Sequence, residues 1–494
     1  MFIGIDLGTS SVKTILIDEN QNTLATKTEL ISIENPKNGY YEQNPEEWYE
    51  ATLKCFSYLK KQKPREFCVV RALSISGQMH GATILDRDAK VLRDCILWND
   101  TRSSKECEEM EQKCSNLREI SGNIAMPGFT APKLLWIKNN EPEIFKKIDK
   151  VLLPKDYLRL RLSGEFVTDP SDASGTLWLD VKKRNWSDEL LGVTYLGIEN
   201  MPTIVEGSDS SGEISKSIKE KFGFTNNVII AGGAGDQAAG AAGSGVINPS
   251  QAVLSLGTSG VYFSPTSKFS SNTSKAVHSF CHCIPNTWHH MSVMLSAANC
   301  IDWASKMYGT SIDDFYKIID FYVQETNNLI NAPFFLPYLS GERTPHNNAF
   351  IRAGFHCLTT STSKADLLYA SLEGVIFGLK DGFEAVNEVN NNTKETFVVG
   401  GGAKSQTWLN LLSSAINTEI IEGEDSNLGP SLGVARLAMI ATSEFDQDQV
   451  MKKMLVKKII NTNPKLVEIL NKRFQVWSQI ASTNLKIANK ITVS

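Results

Sequence analysis

The chain has 494 residues, enough for two to four domains and a sizeable core. Fifty basic and 55 acidic residues leave a net charge of −5, which removes the electrostatic case for nucleic acid or an anionic membrane as partner. No apolar run approaches the ~20 residues of a membrane span, residues 1–6 lead straight into a strand with no basic leader, and the expected compartment is the cytoplasm.

Residues 2–6, 12–17 and the alternating 23–33 predict three antiparallel strands joined by short turns. Asn44 then caps a helix, with Pro45 at its first position and Glu47 completing a capping box. Trp48, Ala51, Cys55, Phe56 and Leu59 fall on one face of it. A buried strand follows over 68–76, leading to Gly77-Gln78-Met79-His80-Gly81. Residues 104–225 alternate helical stretches with Pro- and Gly-rich turns and read as an insertion walling the first lobe's side of a cleft. A short strand at 228–231 ends in the loop 232–237, and a small-residue helix runs over 238–245. Asn248-Pro249 marks the expected boundary between units 1–247 and 248–494.

The second half opens with a strand at 252–254. The Cys281-His282-Cys283 cluster lacks a C-x-x-C pair, and the nine cysteines are irregularly spaced. Buried free thiols fit this better than zinc or disulfides. An apolar helix is expected at about 364–386 and a strand over 396–399, ending in Gly400-Gly401-Gly402. A helix from Thr407 comes next, and from Pro464 onward one exposed amphipathic helix.

Leu7-Gly8-Thr9-Ser10 recurs as Leu256-Gly257-Thr258-Ser259, an offset of 258 − 9 = 249, half the chain length. Such a repeat predicts two related lobes across a cleft. Gly/Thr/Ser turns offer N–H groups and hydroxyls to phosphate oxygens, so two opposed turns suit a nucleoside triphosphate. Asp6, just before the first turn, would reach a Mg²⁺–phosphate group through water, or else cap its own turn. Asp236 is the only acidic residue between Lys221 and Ile301 and sits among glycines that allow close approach of a substrate. It suits a general base for phosphoryl transfer, or a helix cap. Gly233-x-Gly235-x-x-Ala238 fits a dinucleotide fingerprint, but no acidic residue follows before Asp302 to hold a ribose. The P-loop signature is absent. Met79, His80, Trp98, Asn99, Asp100 and Arg102 form the mixture of apolar, amide, carboxylate and imidazole groups that binds sugars, although His80 also fits a satisfied core position.

Taken together, the segments 4–13, 76–81, 97–102, 153–158, 254–260, 339–346 and 400–405 resemble the FGGY carbohydrate kinases over most of the chain. The resemblance implies an α/β fold of two actin-like ATPase (ribonuclease H-like) lobes, each a mixed sheet flanked by helices, with a cleft between them. It implies ATP as co-substrate, Mg²⁺ as cofactor, D-xylulose as acceptor, and allows a homodimer. Asp6, Thr9, Ser10 and Lys13 match the first phosphate motif, Gly257 and Thr258 the second, and Gly401 and Gly402 the adenosine segment. Met79 and His80 match the substrate segment, with Asn99, Asp100, Arg102 and Gln237 beside it; Asp236 matches the catalytic base and Asp6 the metal position. Two departures stand out. The loop before Asp236 is a residue longer than the Gly-Gly-Gly-Asp-Asn form, with Gln237 in place of Asn, and residues 353–358 stray from the glycine-richer pattern. The alternatives are a kinase of the same family for ribulose, gluconate or glycerol, and a non-catalytic ATP-binding sensor.

Overall fold

In the computed structural model, which describes residues 1–424 and 429–491, β1 (Phe2–Leu7) is buried almost throughout, and β2 (Ser11–Ile17) is buried without a break from Thr14. Both faces of their sheet are covered, so the two-residue alternation of a half-exposed strand is lost. It returns in the partly exposed β3 (Thr23–Leu30). Helix α1 (Pro45–Gln62) starts where Asn44 accepts the Glu46 N–H, and it buries Trp48, Ala51, Cys55, Phe56 and Leu59. The expected capping box does not form. The Glu47 carboxylate instead accepts the Ser32 N–H at 2.9 Å and ties the helix to the chain beyond β3. The next strand starts later than expected, because Pro64 opens a short helix that runs through Cys68; β4 spans Ala72–Gly77.

The first lobe is completed by α2 (Pro154–Ser163), β5 (Ser210–Glu213), β6 (Ile229–Ala231), the two-residue β7 (Ala234–Gly235) and α3 (Asp236–Gly243). Helix α3 begins two residues before its expected start. Gly235 is its cap, and Asp236 and Gln237 enter its first turn. There the partial positive charge of the helix N-terminus favours a carboxylate.

The second lobe holds β8 (Gln251–Leu256), β9 (Gly260–Thr266), β10 (His278–Cys281), β11 (Trp288–Met294), α4 (Lys364–Asn387), β12 (Glu395–Val399), α5 (Gln406–Ile416) and β13 (Ile420–Gly423). It is followed by α6 (Gly429–Ala441), β14 (Val456–Ile460) and α7 (Pro464–Ile491). Helix α7 is not simply exposed: Leu470, Phe474, Trp477 and Ala481 are buried in the second lobe's core.

The sheet orders are β5-β6-β4-β1-β2-β3 and β14-β13-β12-β8-β9-β11-β10. Read from the left, the first six strands of the two orders match, and the second sheet adds β10 as a seventh. Each begins with an antiparallel edge, continues through two parallel steps, and ends in antiparallel strands beyond the central hairpin. The repeat is therefore a repeat of fold. Its two turns differ by one residue in register: Leu7 faces Val12, whereas Leu256 faces Gly260.

Two connections cross between the lobes. Helix α6 packs on β1, β4 and α3 of the first lobe, although it lies in the second half of the chain. Small residues permit this: a Cβ on Gly433 would meet the Ala239 carbonyl at 1.9 Å, and one on Gly4 the Ser431 carbonyl at 1.9 Å. The insertion reaches the opposite way and covers the edge strand β10. Asn123 Nδ2 donates to Ser279 O at 2.9 Å, Cys281 N to Ser174 Oγ at 3.0 Å, and Trp288 Nε1 to Val181 O at 2.7 Å.

Candidate active site

Between the lobes lies a cleft of about 340 Å³. Asp6 and Gly8 line it from the first hairpin, and Asp236, Gln237, Gly240, Ala241 and Ser244 from α3. Val253, Ser255, Val261 and Phe263 close it from the second hairpin, with Val399 and Gly400 from the end of β12 and Gly429 and Pro430 from the start of α6. Its lining combines two carboxylates with apolar side chains and bare glycine backbone, a mixture that suits a phosphate–metal group joined to a flat heterocycle.

Asp6 sits at the end of β1, where the chain leaves the sheet. Ser76 Oγ donates to its Oδ1 at 2.8 Å, and Lys13 stands opposite it across the hairpin. Burial raises the Asp6 carboxyl, while the Ser76 hydrogen bond and the Lys13 charge oppose that rise. The repeat position of Asp6 is Ser255, which also lines the cleft. Of the two equivalent hairpin positions, the one in the first lobe therefore carries the negative charge. Sequence reading missed Ser255, although the 249-residue offset points to it.

Asp236 carries the clearest electrostatic signature. Burial, and then the Asp6 charge, push its carboxyl up to about 7, against hydrogen bonds from Gln237. A carboxylate in that range can take a proton near neutral pH. Among the described residues, no group of three or more His, Cys, Asp or Glu has the arrangement to hold a metal ion. Mg²⁺ needs no such cage, because it retains water and phosphate oxygens as ligands. Asp6 beside an acidic Asp236 fits an ion brought in on nucleotide phosphates.

Beyond the end of β4, His80 adopts a left-handed backbone (φ 71°), uncommon for a residue with a Cβ. Its carbonyl accepts from Lys133 Nζ at 2.8 Å and Thr130 Oγ1 at 3.1 Å, which holds the strained turn. Nδ1–H donates to Gly175 O at 2.6 Å, so the neutral ring keeps Nε2 as an acceptor. Burial takes the imidazole down to about 3, and the neighbouring Lys133 and Arg343 charges add to this. The His80 ring is therefore neutral at physiological pH. Phe129 stands edge-on to it, with centroids 4.8 Å apart. Met79 is packed beneath Gly235, immediately before Asp236; a Cβ on Gly235 would meet it at 3.0 Å. Lys133, Gly175 and Phe129 were missed because they enter from the insertion, where no local pattern marks them.

The segment 97–102 divides in two. The Asn99 amide oxygen is buried without a hydrogen-bond partner, and Trp98 Nε1 donates to Thr9 Oγ1 at 2.9 Å. Asp100 and Arg102 face each other instead. Asp100 accepts from Tyr41 N and from the Arg102 guanidinium at 2.7 Å, and Arg102 also pairs with Glu42 at 2.6 Å and lies over the Tyr40 ring. Both are satisfied by the protein itself, so a direct sugar contact, expected from sequence, is not what this geometry offers. They brace the turn that presents Trp98 and Asn99.

Of the remaining expected ligands, Thr9 and Gly257 lie in the two turns, and Ser10 and Thr258 are exposed at their tips. Gly401 has open space where a side chain would stand, a free backbone face for a ligand. Gly402 differs: a Cβ there would meet the Trp408 ring at 2.6 Å, so its glycine serves packing. Cys281 and Cys283 are buried thiols donating to Val181 O and Ala238 O, and burial raises both, as inert thiols should be. Glu342, from the segment 339–346, is buried and pushed up to about 8; its Oε1 accepts the Leu295 and Arg343 N–H groups.

Two matched lobes about an acidic cleft, with a carboxylate of near-neutral pKa on one wall and a bare glycine turn on the other, suit a kinase of small hydroxylated molecules. The N-terminal domain of the FGGY family of carbohydrate kinases matches residues 1–243, and its C-terminal domain residues 252–442. The chain belongs to this family. The xylulose kinase of Escherichia coli (strain K12) is 47% identical over 443 residues, 90% of each chain. A xyloylose kinase from Brucella ovis is 42% identical in its crystal structure, with TM-score 0.94 over 97% of this chain and 98% of that one. A gluconate kinase from Lactobacillus acidophilus, 24% identical, reaches TM-score 0.92 over 99% of both chains. That last likeness concerns the fold alone, and it shows that the fold does not select the sugar.

Proposed function

We propose that the protein transfers the γ-phosphoryl group of ATP to the terminal hydroxyl of D-xylulose, giving D-xylulose 5-phosphate. The observation that carries the mechanism is Asp236: a carboxylate near pKa 7, at the first turn of α3, inside the interlobe cleft. The acceptor is supported by the E. coli relative and by the Met79–His80 turn.

The ketose lies against Met79 and His80, with His80 Nε2 accepting one hydroxyl and Asn99 and Gln237 available for others. Asp236 accepts the proton of the attacking hydroxyl as its oxygen meets the γ-phosphorus in line. Thr9, Ser10 and Thr258 position the phosphate oxygens, with Lys13 beside Asp6, and Gly401 receives the adenosine. Asp6 would hold Mg²⁺ through water, and the charge neutralisation this ion supplies when bound falls on the phosphate oxygens. Residues 1–247 carry the sugar side together with the first phosphate turn and Asp236, and 248–494 the nucleotide side with the second phosphate turn and the adenosine turn, apart from α6, which packs on the first lobe. All nine cysteines are free, which supports a reducing, cytoplasmic setting. Among the described residues, no helix is long and apolar enough to cross a membrane.

The test is ADP release with Mg²⁺–ATP and D-xylulose, D-ribulose, gluconate, glycerol or no sugar. Stimulation by D-xylulose above the others supports the assignment, and preference for gluconate or glycerol would replace the acceptor. Asp236→Ala should lower turnover by at least about 10²-fold while sugar still binds by calorimetry.

A further inference from the structure

Beneath the Asp236 loop lies a group of five charged side chains that the reaction does not use. Lys155 Nζ is 2.5 Å from Asp156, 2.9 Å from Asp169 and 3.4 Å from Asp172, and Arg159 is 3.8 Å from Asp156. All five side chains have 0% exposure. Apolar side chains of similar volume often pack such a space at lower cost. What they cannot supply is directional hydrogen bonds, and here those bonds converge on one loop. Arg159 donates to Ala231 O at 2.8 Å and to Gly232 O at 2.5 Å, fixing the end of β6. Asp169 accepts both the backbone N–H and the hydroxyl of Ser171. With its own proton so committed, Ser171 Oγ is left as an acceptor, and it takes the Gly235 N–H at 3.1 Å. Gly235 is the cap of α3, one residue before Asp236.

The loop has no slack elsewhere. A Cβ on Gly232 would meet Glu206 O at 2.2 Å, and one on Gly233, where φ is 80°, would meet Ile75 O at 2.3 Å. Gly235 is thus held between Met79 on the sugar side and Ser171 behind.

We propose that Ser171 is a positioning residue for the phosphoryl-transfer step: oriented by Asp169 and Lys155, its hydroxyl fixes the Gly235 N–H and with it the direction in which α3 presents Asp236 to the acceptor. This inference rests on the reading of Asp236 as the base. It implies that the buried charges act on turnover, not on nucleotide affinity.

Ser171→Ala removes one hydroxyl and leaves every charge in place. Its kcat for D-xylulose should fall by about tenfold to a hundredfold, with KM for ATP within about twofold of wild type. Asp169→Asn, which weakens the acceptor that orients Ser171, should lower kcat in the same direction at unchanged KM for ATP, and it decides the matter if Ser171→Ala is insoluble. A wild-type kcat in Ser171→Ala overturns the proposal. So does a fall in kcat accompanied by an equal loss of ATP affinity and melting temperature, the mark of a merely structural role. Asp236→Asn is measured alongside. If that variant turns over like wild type, the base reading itself has failed; if it is inactive while Ser171→Ala is normal, only the positioning role has.

Discussion

Asp6 and Asp236 bring charges of the same sign into one cleft, and the Asp6 carboxylate helps keep the proton on Asp236. Because the base works as the carboxylate, kcat/KM for the sugar should rise with pH through about 7. Asp6→Asn removes a negative neighbour, so the Asp236 pKa should fall and that limb should move to lower pH. Carboxyl NMR titration of Asp236 reads the shift even where turnover is too slow to follow. His289, in β11, is a second residue whose protonation burial controls. Both its ring nitrogens are buried without a partner, and its ring stacks on Phe263 with centroids 4.1 Å apart. Burial holds its pKa well below the ordinary 6.5. A depressed folded value means that this stability is present above pH 6.5 and lost as pH falls toward the folded value. His289→Phe should therefore stabilise by about 1 kcal/mol at neutral pH and flatten the loss below pH 6.5, as thermal melts between pH 5 and 8 would show. An unchanged acid limb would count against it.

At the scale of elements, the crossing of α3 and α6 matters most, because α3 carries Asp236, the proposed base. Gly433→Ala places a methyl where the Ala239 carbonyl stands. Overpacking of this kind costs about 1–3 kcal/mol, and the displaced helix takes Asp236 with it. The urea midpoint and kcat should fall together; a drop in stability with normal kcat would mean that α3 had not moved. Element type was largely legible in the sequence, since the short apolar runs and the glycine turns at 8, 233–235 and 400–402 mark strand ends through local patterns. What was not legible depended on distant partners. Glu47 fits a capping box locally, yet Ser32 claims its carboxylate. Helix α7 looks exposed until the surface that buries Trp477 is known. Asp100 and Arg102 look like sugar ligands in a polar strand-end segment, but Glu42 and Tyr41, some sixty residues away, turn them toward each other. Asp236 was legible because an isolated carboxylate among glycines is a local signal; its raised pKa was not, because Asp6 is 230 residues distant.

For the whole molecule, two sheets of matching strand order place equivalent hairpins face to face, and the difference between their floors, Asp6 against Ser255, sets which side holds the charge. The lobes are nevertheless not independent pieces. One layer of the first lobe's core joins Phe2, Ile15, Ile17 and Ala72 to Ala435, Ala438 and Met439 of α6. A fragment ending at residue 247 leaves that layer open and should stay protease-sensitive and aggregation-prone until the fragment 248–494 is added; a fragment 1–247 that resists protease unaided would refute this. The same layer imposes a timetable on synthesis. A ribosome delivers Phe2 436 residues before Ala438, so the lobe that emerges earlier waits for a helix made much later. Its sheet must wait in the cell with an apolar face uncovered, and the speed of translation through the second half sets how long that exposure lasts.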